Sequence, residues 1–205
     1  PSGTGKTTVA KKLLAQDSGL VRSVSYTTRA MRGEEKQGES YFFTDEQDFL
    51  AKEEAGGFLE FAKIYGCFYG TPSDKVEEAL ALGKDVLLVL DWQGAQQLKK
   101  AQTDCVSIFM VPPSCQDLVS RLHKRGEDDA KVIARRLQSA LEEFEHYQDF
   151  DYLVVNRELE GVTEEVHAII KAERLKVGRQ EHHCAEILAD LRKDMQKIKE
   201  GVDFN

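Results

Sequence analysis

Pro1-Ser2-Gly3-Thr4-Gly5-Lys6-Thr7-Thr8 opens the chain, and the apolar helix formers Val9, Ala10, Leu13 and Leu14 follow it. The run Gly3-Thr4-Gly5-Lys6-Thr7 is the latter part of a Walker A phosphate-binding loop. Gly3 and Gly5 let the backbone take conformations closed to other residues, so that successive N–H groups can point at phosphate oxygens. Lys6 carries a mobile ammonium to the terminal phosphates, and the Thr7 hydroxyl is suited to Mg²⁺. A helix starting here aims its positive dipole end at the same anion. The pattern extends one residue further upstream and follows a strand, so a strand is expected ahead of this loop.

Outward from the loop, helical and strand-like stretches alternate. A helix is expected over residues 7–15 and a strand over 20–25. Residues 26–40 are rich in Arg, Glu and Gly without apolar period and predict an exposed loop. Strands are expected at 41–43, 58–62 and 67–71, the last two joined through Tyr65-Gly66, with a helix over 45–55 capped by Thr44 or Asp45. A helix over 73–81 should end at Gly83. Residues 85–90 carry Val-Leu-Leu-Val-Leu, as a buried parallel strand would, and 106–111 read likewise. Helices are expected at 93–100, 114–123 and 128–148, a final strand at 152–155, and helix thereafter. The fold class is α/β: a P-loop NTPase with a parallel core sheet flanked by helices and a β-rich insert over about 26–82.

Composition narrows the partners. The 205 residues suffice for one sizeable core. No run approaches the ~20 apolar residues of a membrane span, and no cleavable signal is visible. Cys67, Cys105, Cys115 and Cys184 lie far apart without zinc-site spacing, as reduced thiols in a cytoplasmic protein would. A net charge of -8 argues against nucleic acid as a partner but not against a small anion held by local arginines.

The insert carries a further pattern. Val24-Ser25-Tyr26-Thr27-Thr28-Arg29, Arg32, Gly38-Glu39 and Tyr41-Phe42-Phe43 are followed by Phe58-Leu59-Glu60, Tyr69-Gly70-Thr71 and Asp91-Trp92-Gln93-Gly94. Pro112-Pro113-Ser114, Arg121-Leu122, Arg125-Gly126 and Val155-Asn156 continue it. In this order the segments closely resemble guanylate kinases over nearly the whole chain, to about Arg179. The resemblance implies transfer of the ATP γ-phosphoryl group to GMP (and to dGMP), with Mg²⁺ as cofactor, in the cytoplasm. It also implies three lobes in one domain: a core of residues 1–24, 83–113 and 141–205, a GMP-binding insert of 25–82 and a helical lid of 114–140. A homodimer is compatible with it, and the amphipathic tail 181–200 should either pack on the domain or mediate association.

The residues suit those roles chemically. Arg29 and Arg32 can fork onto one phosphate, since guanidinium favours bidentate oxyanion contacts, and the hydroxyls of Ser25, Tyr41 and Tyr69 can donate to it. Glu60 can accept from guanine N1 and N2, and Thr71 can donate to O6. Adenine would leave those groups unpaired. The resemblance puts Asp91 at the acceptor base, Arg121 and Asn156 near adenine, and Arg125 and Arg136 near the transferring phosphoryl group. Residues Pro1 to Thr8 hold the ATP phosphates, with Lys6 catalytic and Thr7 on Mg²⁺. Arg135 is either part of that lid or a helix decoration. Trp92 reads as packing, and His182-His183 with Glu186 as a solvated face.

Three departures from the family pattern stand out: Met31 where a proline is usual, Glu34 where a glycine is usual, and Val89 where many relatives carry a second aspartate. Two other functions were weighed. A catalytically silent protein-interaction module would have lost Gly5, Lys6 and Thr7, and a P-loop kinase with another acceptor would lack Glu60 and Thr71. All five residues are present.

Overall fold

A computed structural model describes residues 1–101, 104–123 and 130–199, with backbone alone at 130–133, 135, 182 and 183. In chain order the elements are α1 (Lys6–Gln16), β1 (Leu20–Arg22), β2 (Tyr26–Thr27), β3 (Phe42–Phe43), α2 (Glu46–Glu54), β4 (Phe58–Ile64) and β5 (Cys67–Pro72). Then come α3 (Ser73–Ala81), β6 (Asp85–Leu87), α4 (Trp92–Lys100), β7 (Ile108–Val111), α5 (Cys115–His123) and α6 (Ala130–Phe144). A 3₁₀ turn (Tyr147–Asp149), β8 (Tyr152–Val155), α7 (Leu159–Arg174) and α8 (Val177–Lys199) complete the described chain. The chain divides into two compact units, Pro1–Thr163 and a helical one from Glu164 onward.

The first unit has the α/β plan. β1 pairs parallel with β6, and β7 parallel with β8. Among the described residues these two ladders are not joined into one sheet. That explains why β6 is shorter and less buried than its sequence predicts. Only Asp85–Leu87 pair, and residues 86–90 are half-buried, because the second edge of β6 has no ladder partner among the described residues. The strand expected over 20–25 likewise stops at Arg22.

The insert is a four-stranded sheet in the order β3-β2-β5-β4. Its hairpin turns at Tyr65 (φ 52) and Gly66 (φ 86), both left-handed, as the twist of a two-residue hairpin demands. Phe49, fully buried from α2, stacks on Phe58 at 4.6 Å and Phe68 at 5.3 Å, making the small core that holds the sheet to its helix. Part of the expected exposed loop is ordered: Tyr26–Thr27 pair with both β3 and β5, and the Tyr26 ring stacks on Phe42 at 4.8 Å. Two residues are too few to show a period in sequence. Asp45 caps α2 by accepting from Asp48 N–H, and Gly83 (φ 71) follows the end of α3, both as expected. Trp92 at the start of α4 stacks flat on His146, with ring centroids 3.7 Å apart.

Candidate active site

The phosphate loop has the backbone its glycines predict. Gly3 and Gly5 sit at φ 81 and φ 97, and α1 begins directly at Lys6 with no side chain capping its first N–H groups. The anion-binding end of the helix is therefore presented by backbone alone. The Lys6 ammonium donates to Pro1 O at 2.8 Å, and the Thr4 hydroxyl donates to the same carbonyl at 2.9 Å. Ser2 is half-buried, while Thr7 and Thr8 are exposed on the first turn.

Arg121 and Asn156 brace the loop. Asn156 Nδ2 donates to Thr4 O at 2.6 Å, and Arg121 Nη2 donates to Asn156 O at 2.8 Å. A Cβ at Gly5 would stand 2.4 Å from Asn156 Nδ2, so closeness to this brace demands glycine there as much as φ does.

Glu60 lies at an irregularity of the β4–β5 ladder, between the Phe58–Pro72 and Glu60–Thr71 pairs. Such a shift re-aims a side chain. The carboxylate is 5 % exposed and accepts the Thr71 hydroxyl at 2.5 Å. Burial pushes its pKa up to about 7; the Thr71 hydrogen bond opposes the shift and the Asp91 charge adds to it. Asp91 caps α4 by accepting Gly94 N–H at 3.0 Å. Burial also raises Asp91, with the Gly94 bond and the Lys6 charge opposing and Glu143 adding. Asp91 thus lies within electrostatic reach of both Glu60 and Lys6.

Two supports went unread in the sequence. Gln97 on α4 donates to Phe61 O at 2.7 Å and accepts Phe61 N–H at 3.1 Å, fixing β4 beside Glu60. A Cβ at Gly94 would lie 2.3 Å from Glu60 Oε2. Gly94→Ala is thus expected to displace the Glu60 carboxylate, at a cost of about 1–3 kcal/mol for a disturbed buried polar group. KM for the acceptor nucleotide should rise roughly 10–100-fold while KM for ATP stays near its native value. Steady-state kinetics with each substrate varied in turn checks it, and equal changes in both constants would contradict it.

The surroundings of Arg29 are aromatic. The Arg29 guanidinium lies over the Tyr41 ring at 5.3 Å and the Phe43 ring at 5.7 Å, with Tyr69 edge-on to Tyr41 at 5.9 Å. Burial raises the Tyr41 phenol. Ser25 O accepts Phe42 N–H at 2.9 Å, which fixes Ser25 beside β3. Arg32 is exposed, as are Met31 and Glu34. Arg29 also makes a two-pronged contact to Glu35, which sequence reading missed although the order Arg-x-x-Arg-x-x-Glu was in view.

On the lid side, Arg136 is buried on α6, and Leu118 and Leu122 of α5 form a small apolar core with Ala140 of α6. Arg125 lies outside the described residues, as do the side chains of Arg135, His182 and His183. Val89, which stands where many relatives carry a second aspartate, is half-buried. Among the described residues no group of His, Cys, Asp and Glu has metal-holding geometry by itself, and no helix is long and apolar enough to cross a membrane.

Comparison with known proteins gives one answer. The family model described as Guanylate kinase matches residues 1–173. A curated Guanylate kinase of Hahella chejuensis is 47% identical over 181 residues, covering 88% of this chain and 87% of that one. One from Rhizobium meliloti is 48% identical, covering 87% and 82%. The crystal structure of guanylate kinase from Anaplasma phagocytophilum superposes with a TM-score of 0.71 at 37% identity, covering 84% of each chain.

Proposed function

The chain belongs to the guanylate kinase family and is an ATP:GMP phosphotransferase, and we propose that the residues described above divide that reaction between them. The observation carrying the assignment is the buried Glu60 carboxylate bonded to the Thr71 hydroxyl. A buried carboxylate beside a hydroxyl matches guanine, whose N1–H and N2–H donate and whose O6 accepts.

Phosphoryl transfer requires positioning and charge stabilisation more than covalent help. Pro1 to Thr8 cradle the ATP phosphates, with N–H groups of the loop and of the first α1 turn directed at their oxygens. Lys6 turns from Pro1 O toward the β- and γ-phosphates and follows the migrating charge. Arg29, with Ser25, Tyr41 and Tyr69, holds the GMP phosphate in line; Arg32 joins it from its exposed position. Asp91 sets the start of α4 against the base. Arg121 and Asn156 keep the loop in shape and face the adenine side, while Arg125 and Arg136 stabilise the transferring group.

Hard oxygen donors suit Mg²⁺, and the exposed Thr7 hydroxyl would hold it together with oxygens of the nucleotide phosphates. When bound, the ion would neutralise charge on the nucleotide phosphates. We place the enzyme in the cytoplasm, a reading supported by its four free cysteines. A homodimer is supported by α8, where Leu188, Leu191, Met195 and Ile198 are about half-exposed or more.

The deciding experiment couples ADP release to GMP, AMP, CMP and UMP in turn. GMP alone should give full turnover; comparable rates with AMP would remove the base-reading role of Glu60.

Proton linkage follows from the same carboxylate. Its pKa in the folded free enzyme is about 7 against the ordinary 4.5, so between those values the native state holds a proton that the unfolded chain has lost. The stability contributed by that proton is complete below about pH 4.5 and is lost as pH rises through about 7. GMP has the opposite preference, since N1–H and N2–H bind the ionised form. GMP affinity should therefore weaken as pH falls below about 7, and binding near pH 6.5 should release a proton. Calorimetry in buffers of different ionisation enthalpy measures this directly; heats independent of buffer would contradict it.

A further inference from the structure

We propose that Glu35 is a positioning residue for Arg29, gripping one edge of its guanidinium so that the other edge is left facing the acceptor phosphate. This rests on the assignment of Arg29 to that phosphate. Arg29 sits on a segment with little regular structure: between Thr27 and Phe42 only the Gln37–Tyr41 bridge forms. A long side chain on such a segment loses much rotamer freedom when it binds, unless something fixes it beforehand.

Glu35 does this with both oxygens. Oε1 accepts from Arg29 Nη2 at 2.8 Å, and Oε2 accepts from Arg29 Nη1 at 2.9 Å. Oε2 also accepts Arg32 N–H at 2.9 Å, tying the carboxylate to the backbone between the two arginines. Ala30 O accepts from Nη1 at 2.6 Å. A guanidinium has five N–H donors, two on each Nη and one on Nε. Those contacts use both on Nη1 and one on Nη2. The remaining Nη2–H and Nε–H form one edge, with bidentate geometry for phosphate, and the Tyr69 hydroxyl is in hydrogen-bonding reach of Arg29.

The Tyr41 and Phe43 rings, both on one side of the guanidinium, restrict it further. The pairing is charged on both sides: the Arg29 hydrogen bond holds the Glu35 carboxyl below its usual range, and Glu35 raises the guanidinium. The grip is only partly exposed to solvent, with the two side chains 11% and 26% exposed.

A competing role has the opposite sign. Glu35 could be a stand-in that occupies the phosphate position and must be expelled, in which case removing its charge would tighten GMP binding. The geometry favours positioning, because the carboxylate grips the Nη1–Nη2 end of the guanidinium and makes no contact with the Nη2–Nε edge. Its bond to Arg32 N–H would also persist with phosphate in place.

The test is Glu35→Gln, with Glu35→Asp beside it and Arg29→Ala as control, each assayed for KM of GMP, KM of ATP and kcat, with thermal melts. Glu35→Gln keeps the shape but puts an NH₂ group against a donor. We expect KM for GMP to rise roughly tenfold, with KM for ATP unchanged and the melting temperature near native. Glu35→Asp, which keeps the charge, should fall between. An unchanged or lowered KM for GMP in folded Glu35→Gln overturns the proposal, and so does a parallel rise in both constants. If Glu35→Gln does not fold, Glu35→Asp decides by the same split. Should Arg29→Ala leave KM for GMP unchanged, the phosphate assignment fails and the proposal falls with it. Should Arg29→Ala raise it while Glu35→Gln does not, only the positioning role fails.

Discussion

Lys6→Ala is expected to cut turnover by on the order of 10³ or more, the loss typical when a preorganised charge at a developing oxyanion or transferring phosphoryl group is removed. The reason is geometric as well as electrostatic. Lys6 is the first residue of α1, and its ammonium is held at 2.8 Å from Pro1 O, so it is poised beside the anion-binding helix terminus before any nucleotide arrives. Its charge also opposes the burial-driven rise of the Asp91 pKa. The fold should survive, because the side chain is only half-buried and alanine favours helix. A melt with a native midpoint beside a progress curve at background is the expected pair of results. A folded variant with near-native turnover would take Lys6 out of the chemistry.

Glu60→Gln should be the most selective lesion. A glutamine keeps one acceptor oxygen but presents an NH₂ group where guanine also donates. A site built on hydrogen bonds discriminates strongly because a mismatch leaves buried groups unpaired. With charged hydrogen bonds contributing ~1.5–3 kcal/mol each, kcat/KM for GMP should fall on the order of 10², with KM for ATP little changed. The variant would also lose the pH dependence of GMP binding near neutrality, since glutamine does not titrate. That makes it the control for the proton-linkage measurement. An unaltered KM for GMP would remove Glu60 from the base pocket.

How much of this could be read in the sequence depended on whether local chemistry or long-range contact was in control. The phosphate loop was legible because two glycines, a lysine and a threonine in fixed order leave the backbone few choices. The caps at Asp45 and Gly83 and the hairpin at Tyr65-Gly66 were legible for the same reason: each is set by residues within one turn. Glu60 was not legible alone. In Phe58-Leu59-Glu60-Phe61-Ala62 alternation only places Glu60 on one face with Phe58 and Ala62, and a single strand carboxylate reads as ordinary and solvent-facing. Its burial goes with the ladder irregularity and the close approach of Gly94 on α4. The segment resemblance supplied what alternation could not.

Strand ends were over-read at 20–25 and 85–90, because hydrophobic character marks what can pair, while pairing itself depends on a neighbour distant in sequence. Glu35 was missed because a charge on a glycine-containing polar stretch looks solvated until its partner six residues away folds back on it.

The flat stack of Trp92 on His146 has an optical consequence. This is the chain's single tryptophan, so near-ultraviolet emission from the indole has one source and one address. The ring follows directly after Asp91, which lies within electrostatic reach of Glu60 and Lys6, and its stacking partner comes from beyond α6 in the sequence. Any sliding of the start of α4 against that turn changes the environment of the one emitting indole. The enzyme therefore carries its own fluorophore next to Asp91, and a stopped-flow trace recorded on adding each nucleotide reads any movement of that helix start without a dye or a label.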